Sequence, residues 1–403
     1  MSHLNLALLA IVYVALLFSS PVEAADGETQ FSGDGYHILF VSGRHGNEAK
    51  VSLLKKKLMF DNDNAPITIE SKADKNLGDV PEALKTFAQY DLIILDSASS
   101  RTAKKNYKKY QGKLSGLTGK IFAMKAAGNA ELRHNISKED ANTIYQYYNN
   151  GGDENFKRLA SFIKYRLQNY VASQKVPAPV IFPAIGLYHP EYKNLIFPTR
   201  EAYIEWRGNI VPGKKVIALN LQRSAIEASQ TTLIDETIRR IEAAGHYTLP
   251  FYFQFSPRAS DYSSLLQENV GVNKRTVADV IINFRTIHWA KQRKKEFENL
   301  GIPVVQALTY YDGDQKAWEE SEEGISSGML AFTLVLPESA GVIDPLVVAG
   351  MNRSEQQVEV IDYQLDFLIE RAVNYAGLSK TPNADKKLTP EHRGELFIDI
   401  WRF

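Results

Sequence analysis

Short apolar runs bounded by polar, glycine- or proline-containing segments recur along this chain. They alternate with stretches whose apolar residues return every three or four positions. Tyr36–Ser42 (YHILFVS) is the first such run. Its unbroken apolar character predicts a strand covered on both faces, then a loop at Gly43-Arg44-His45-Gly46 and a helix near Asn47–Leu58. Asp91–Asp96 (DLIILD) and Lys120–Met124 predict further buried strands. Ala141–Tyr148 and Phe156–Val171 predict helices. In the second, Phe156, Leu159, Ile163, Leu167 and Tyr170 share one face, and Lys157, Arg158, Lys164 and Arg166 fall mostly off it. Strands alternating with helices predict a parallel α/β sheet.

Lys175-Val-Pro-Ala-Pro179 marks a boundary, because two prolines cannot continue a helix. Beyond it, Lys215–Leu221, Tyr247–Phe253, Val277–Asn283 and Ile302–Leu308 read as strands, with Phe332–Leu336 completing a sheet. Glu227–Ala244 reads as a helix with Ile234, Ile238 and Ile241 on one face and Gly245 as its stop. Thr286–Leu300 reads as another, and Glu355–Tyr375 as a closing helix. The predicted fold class is α/β: two Rossmann-like or periplasmic-binding-protein-like units with parallel sheets, plus a C-terminal helix. The expected division is an N-terminal unit over 36–174 and a second over 175–350. A closing helix and truncated tail occupy 351–403.

Leu4–Phe18 is a nearly continuous apolar run, broken by Ser19, Ser20 and Pro21. Val22-Glu23-Ala24 offers small residues for cleavage after Ala24, so residues 1–24 read as a signal peptide and 25–35 as a linker. The run is shorter than the ~20 apolar residues that span a bilayer. An exported, periplasmic protein is expected; anchoring to the inner membrane by an uncleaved 4–18 is the alternative.

Composition narrows the chemistry. Lys plus Arg equals Asp plus Glu, 47 against 47, so the whole chain has no global field that would draw it to nucleic acid or an acidic membrane. The basic runs Lys104–Lys109 and Lys291–Lys295 read as solvated helix faces. Cysteine is absent, which excludes disulfides, thiolate-bound zinc, iron–sulfur clusters and thiol nucleophiles. The sequence has no His-x-x-x-His, His-Glu-x-x-His or Gly-x-Ser-x-Gly pattern and no phosphate-binding Walker loop. A dedicated metal centre is not expected within this chain.

Ile181–Trp206 (IFPAIGLYHPEYKNLIFPTREAYIEW) combines a Gly-x-Tyr-His-Pro turn with a Trp-ending helix. An Arg-Ser follows at the tip of the next strand. Val277-Ala-Asp-Val-Ile-Ile-Asn283, Leu300-Gly-Ile-Pro-Val-Val-Gln306, Trp318 with Ser321 and Gly324, and Leu336-Pro-Glu-Ser-Ala-Gly341 with Asp344-Pro345 come next. Arg371, Ala376-Gly-Leu378 and Thr381-Pro-Asn-Ala-Asp-Lys-Lys387 close the series. In that order the elements resemble the N-terminal part of the cobaltochelatase large subunit, to which the magnesium-chelatase H subunit is related. The resemblance implies a protein that holds a tetrapyrrole (corrin, porphyrin or haem) while a metal is inserted. It also implies chelatase partner subunits that carry ATP hydrolysis, and no cofactor bound by this chain alone. Family members are several times longer, so the chain is expected to be a truncated form. With a signal peptide, the resemblance points to an exported branch in which metal removal from haem is the alternative direction. Two other readings stand beside it: a periplasmic two-lobed ligand-binding protein without catalytic activity, and a remnant of a longer gene.

Candidate ligand-binding residues are Tyr188, His189, Arg223, Ser224, Glu338 and His288; no catalytic residue is assigned. His189 can ligate a central metal or hydrogen-bond a propionate. The plainer reading is a turn histidine fixed by Pro190, with Tyr188 packing inward. Arg223-Ser224 follows a predicted strand, where Arg can clamp a carboxylate; the plainer reading pairs Arg223 with Glu227. Glu338 follows the predicted strand 332–336 and can pair with Arg223 or orient a ligand. His288 can face the same cleft or the surface.

Overall fold

The structure is a computed structural model that describes residues 35–42, 47–59, 67–96, 100–124, 132–168, 175–253 and 261–378. The expected signal peptide, most of its linker, the loop 43–46 and the tail beyond 378 lie outside the described residues.

The chain divides into two compact units. The first takes the chain up to Phe182 and two later insertions, Ser224–Thr231 and Arg353–Gln357; the second takes the rest. The passage between them falls after Phe182 rather than near 175. Asn155 donates to Val180 O at 2.9 Å and accepts from Val180 N at 2.8 Å, and Asn150 accepts from Phe182 N at 2.9 Å. Those bonds hold the Pro-containing segment on the first unit.

In the first unit β1 (Tyr36–Ser42), β2 (Ile67–Ala73), β3 (Leu92–Asp96) and β4 (Lys120–Met124) are parallel, in the order β2-β1-β3-β4. A short antiparallel β5 (Arg133–His134) closes the edge. The pleat sends alternate residues to opposite faces. Ile38, Phe40, Leu92 and Ile94 pack under α1 (Asn47–Met59), α4 (Lys138–Asn150) and α5 (Gly152–Phe162). Leu39, Val41, Ile93 and Leu95 pack under α2 (Val80–Phe87) and α3 (Ser100–Tyr110). Helix starts follow capping chemistry: Asp79 and Glu82 form a capping box at α2, and Ser137 accepts from Asp140 N at 2.9 Å at α4. Phe156, Leu159, Ile163 and Leu167 are buried as one stripe, but α5 ends at Phe162 and Ile163–Gln168 form a π turn.

The second unit is an eight-stranded sheet in the order β15-β14-β13-β12-β8-β9-β6-β7. Its strands are β6 (Ile185–Tyr188), β7 (Ile196–Phe197), β8 (Val216–Asn220), β9 (Tyr247–Phe253), β12 (Val280–Asn283), β13 (Val304–Tyr310), β14 (Ile343–Asn352) and β15 (Gln357–Val360); β10 (Gln267–Val270) and β11 (Asn273–Thr276) form a separate hairpin. β14, β13, β12, β8 and β9 run parallel, and β6 runs antiparallel to β9. Its helices include α6 (Arg200–Arg207), α7 (Thr232–Ala243), α8 (Ala290–Leu300) and α9 (Asp362–Leu378).

Four elements differ from the sequence pattern. Glu227–Ala244 is two helices, Arg223–Glu227 and α7, broken where the chain visits the first unit. Residues 286–289 form a loop before α8, not its first turn. Residues 357–360 form β15, so α9 begins at Asp362. Phe332–Leu336 is helical: Ser327–Ser339 is continuous helix with a π segment at Ala331–Val335. Pro337 lacks the N–H that would close the regular ladder, which accounts for the widened turn before it.

Candidate functional site

β8 is followed in the chain by β9 on one side, and β12, later in sequence, returns to its other side. The carboxyl ends of β8 and β12 therefore flank the point where the winding reverses. Open α/β sheets hold ligands at such points.

The floor of this edge is polar and buried. Asn220, Asn283 and Gln306 stand side by side in the register of β8, β12 and β13. Asn220 Nδ2 donates to Asn283 Oδ1 at 2.5 Å and to the Tyr262 hydroxyl at 2.6 Å. Asn283 Nδ2 donates to Gln306 Oε1 and to Arg285 O, both at 2.7 Å. Asn220 Oδ1 is buried and receives no hydrogen bond from the described residues.

Above that floor, Phe253, Tyr262, Arg285, Thr286, Ile287, His288, Trp289 and Arg293 line a depression. The Arg285 guanidinium lies 4.1 Å from the centre of the Phe253 ring and donates to Phe253 O at 3.0 Å. Arg293 lies 5.2 Å from the same ring and 5.3 Å from Tyr262. Its partner Glu296, at 2.7 Å, is fully buried and accepts from Ser263 N at 3.0 Å. Burial pushes the Glu296 carboxyl above its ordinary range, against the pull of these donors.

Trp289 precedes α8 with φ of 55° and no side-chain cap, a left-handed conformation that costs a bulky residue about 1–3 kcal/mol. It holds the indole 36% exposed at the rim. The His288 ring lies 6.0 Å from Trp289 and 5.4 Å from Phe332, with Nε2 3.3 Å from the Thr286 hydroxyl. Burial first, and the nearby Arg285 charge second, lower the His288 pKa. Two guanidiniums, an imidazole and aromatic walls suit a flat ligand with acidic side groups.

The expected site residues do not converge. Of the six, His288 lines the depression. Arg223 lies on the same sheet edge, half-buried, donating to Pro183 O at 3.5 Å and 6.0 Å from the Tyr252 ring. Ser224 is exposed and belongs to the first unit. Glu227 does not serve Arg223; it receives Lys50 Nζ at 2.8 Å.

Tyr188, His189 and Glu338 fall at the opposite, amino-terminal edge of the parallel strands. The antiparallel course of β6 puts Leu187 opposite Phe251, so the following residues run toward the start of β9. His189 is 1% exposed: Nδ1 accepts from Glu191 N at 3.2 Å, and Nε2 faces Glu242 at 3.4 Å. Tyr188 is buried and donates to Asp235 at 2.7 Å. Both fit the turn-and-packing reading. Gly186 belongs to the same construction: a Cβ there would lie 2.9 Å from the Tyr252 hydroxyl and 3.0 Å from Phe197 O. Glu338 sits on the helix that leads into β14, not after a strand.

Asn220, Asn283, Gln306, Arg285, Arg293 and Trp289 were not singled out as site residues. A signal was present for three: each apolar run ends or is interrupted by one amide, in VIALN, VIIN and VVQ. No three His, Asp or Glu among the described residues are grouped to hold a metal, and no described helix is long and apolar enough to cross a membrane.

The family model CobN/Magnesium Chelatase matches residues 145–389, more than half of the chain. The aerobic cobaltochelatase subunit CobN of Pseudomonas aeruginosa is 28% identical over 270 residues, covering 63% of this chain and 20% of that protein. The chloroplastic magnesium-chelatase subunit ChlH of Oryza sativa subsp. indica is 25% identical over 264 residues, covering 60% of this chain and 19% of that protein. The catalytic subunit of cobaltochelatase from Mycobacterium tuberculosis matches in fold with a TM-score of 0.56 at 16% identity, over 88% of this chain and 28% of that one. The chain thus spans about a fifth of the length of the curated relatives it matches. The comparisons give no support to the two-lobed binding-protein alternative.

Proposed function

We propose, from the premise that the chain belongs to the CobN/magnesium chelatase family, that it holds a tetrapyrrole for a metal-insertion reaction of that family's kind. The observation that carries this is the extent of the match. Residues 145–389 take in every strand of the second unit and all of its switch-point residues. The chemistry of that edge supports it. A tetrapyrrole is flat and bears carboxylate or amide side groups. Arg285 and Arg293 supply cations, and Phe253, Trp289 and His288 supply ring faces.

Because the chain spans about a fifth of its curated relatives' length, the insertion step is assigned to this chain acting with further chelatase parts. Any ATP hydrolysis belongs to partner subunits. Export is part of the proposal: the apolar run 4–18 and the Ala24 site support it. In an exported setting the same holding function serves metal removal from haem.

The test is an absorbance titration of the full chain with haem, protoporphyrin and a metal-free corrin. A saturable shift with one of them is expected, and no shift with any of the three ends the reading. Mass spectrometry of the exported chain tests the leader: the expected mature protein begins after Ala24, and one still beginning at Met1 removes that part.

A further inference from the structure

Charge is balanced over the whole chain but not within it. Between residues 35 and 182, Lys and Arg outnumber Asp and Glu by 23 to 14, while the full sequence carries 47 of each. The two helical faces of the first unit treat that excess differently. On the face of α1, α4 and α5 several cations are paired, although Lys55 and Lys56 are exposed. Lys57 and Lys157 share Asp153, Arg158 meets Glu154 at 2.9 Å, and Arg166 meets Asp140 at 3.1 Å.

On the other face, α3 (SRTAKKNYKKY) carries five basic residues and no acidic one. Tyr110 is buried against Phe87 with ring centres 5.4 Å apart, so α2 and α3 lie side by side on the sheet. Their outward positions include Lys85, Lys105 and Lys108, with Lys113 just past α3, and all four are exposed. None of the four pairs with a carboxylate among the described residues. Lys109 leans back over the Tyr110 ring at 5.1 Å. Of the acids on this side, Asp79 and Glu82 are engaged in the α2 capping box, and Asp74 lies near enough to act on Tyr110.

We propose that this lysine face docks on an anionic lipid surface. A face on which unpaired lysines outnumber the acids gains most from a dense, diffuse array of negative charge. Lysine supplies point charges rather than the planar fork that reads a phosphate in fixed geometry. Tyr, Phe and Trp are absent from the exposed large apolar residues among the described residues of this unit, whereas single-stranded nucleic acid is bound through stacking aromatics. The proposal is independent of the tetrapyrrole reading.

The test is flotation of the full chain with vesicles of phosphatidylcholine alone and with phosphatidylglycerol added. The two vesicles differ in charge alone, so the difference in binding reports the lysines. Wild type is expected to favour the anionic vesicles and to lose that preference in 0.5 M salt, about three times physiological ionic strength. The triple variant Lys105→Gln, Lys108→Gln, Lys113→Gln should bind the anionic vesicles about a hundredfold more weakly, at roughly fivefold per lysine. Its melting temperature should be unchanged. Lys55→Gln with Lys56→Gln, exposed on the opposite face, should keep the preference. Equal binding to both vesicles, or a triple variant that binds like wild type, overturns the proposal. So does binding to an oligonucleotide that the triple variant loses, without any preference for anionic vesicles.

Discussion

Asn220 and Asn283, the last residues of β8 and β12, face each other in register and are joined by a 2.5 Å hydrogen bond from Asn220 Nδ2 to Asn283 Oδ1. Both are fully buried. The pair ties the two strands at the point where the chain's winding reverses. Asn283 extends the tie to Gln306 on β13 and to the carbonyl of Arg285. The loop that carries His288 and Trp289 therefore starts from a fixed position. Buried amides of this kind cost stability when a partner is lost, because the remaining groups cannot reach water.

Asn283→Leu should destabilise the fold by about 2–4 kcal/mol, since it leaves Gln306 Oε1 without its donor, removes one acceptor of Asn220 Nδ2 and takes away the shorter of two hydrogen bonds to the Arg285 carbonyl. Urea unfolding measures it. A midpoint within error of wild type would show that the network does not hold the edge.

The strands were legible where apolar runs are short and bounded, and Tyr36–Ser42 and Tyr247–Phe253 have the same limits in sequence and structure. The run Phe332–Leu336 was not, because an unbroken apolar stretch has no period that tells a strand from a helix. His189 was visible as a turn residue but not its direction. The reversal of β6 against β9 is a pairing between segments some sixty residues apart. Arg293 was hidden within a basic run that reads as a solvated helix face; only the packing of Phe253 and Tyr262 shows that it is buried.

Gly186→Ala should cost about 1–3 kcal/mol by overpacking. The added Cβ meets the Tyr252 hydroxyl, Phe197 O and Ile196 Cγ2 at 2.9–3.1 Å, all three on the paired strands β7 and β9. Thermal unfolding reads it, and an unchanged melting temperature would show that β6 has room to move.

His189→Ala should lower stability by about 2–4 kcal/mol and leave any haem absorption change of wild type as it was. The ring is 1% exposed, both nitrogens have partners, and it packs on Trp206 with centres 4.8 Å apart. His288→Ala, at the depression, is the substitution expected to alter the spectrum. The reverse pattern would place the ligand at the amino-terminal edge.

Arg223→Ala should weaken binding of an acid-bearing tetrapyrrole by roughly ten- to a hundredfold, the loss of one charge-assisted hydrogen bond. Trp289→Ala should weaken it about three- to tenfold, the loss of one aromatic face. Titration of both variants beside wild type decides this. Equal affinities would move the ligand away from the carboxyl ends of β8 and β12.

Acid should act on the second unit through Glu242. Burial alone would raise this carboxyl, yet hydrogen bonds from His189, Arg207 and Thr248 pull it down to about 2 from an ordinary 4.5. Arg207 reaches it with Nε at 3.1 Å and Nη2 at 3.0 Å, and the Thr248 hydroxyl donates at 2.7 Å. A carboxyl whose folded pKa lies below its unfolded one stabilises the fold above the unfolded value. That contribution is lost as pH falls from about 4.5 toward 2. A shift of this size corresponds to about 3 kcal/mol, reduced to about 2 kcal/mol for the water that reaches the carboxylate. Glu242→Gln cannot lose what it does not have. It should be less stable than wild type at pH 7 by about that amount, and the gap should narrow at pH 3. Urea midpoints of both proteins at the two pH values measure it, and a gap that stays constant would show that Glu242 does not carry the acid sensitivity.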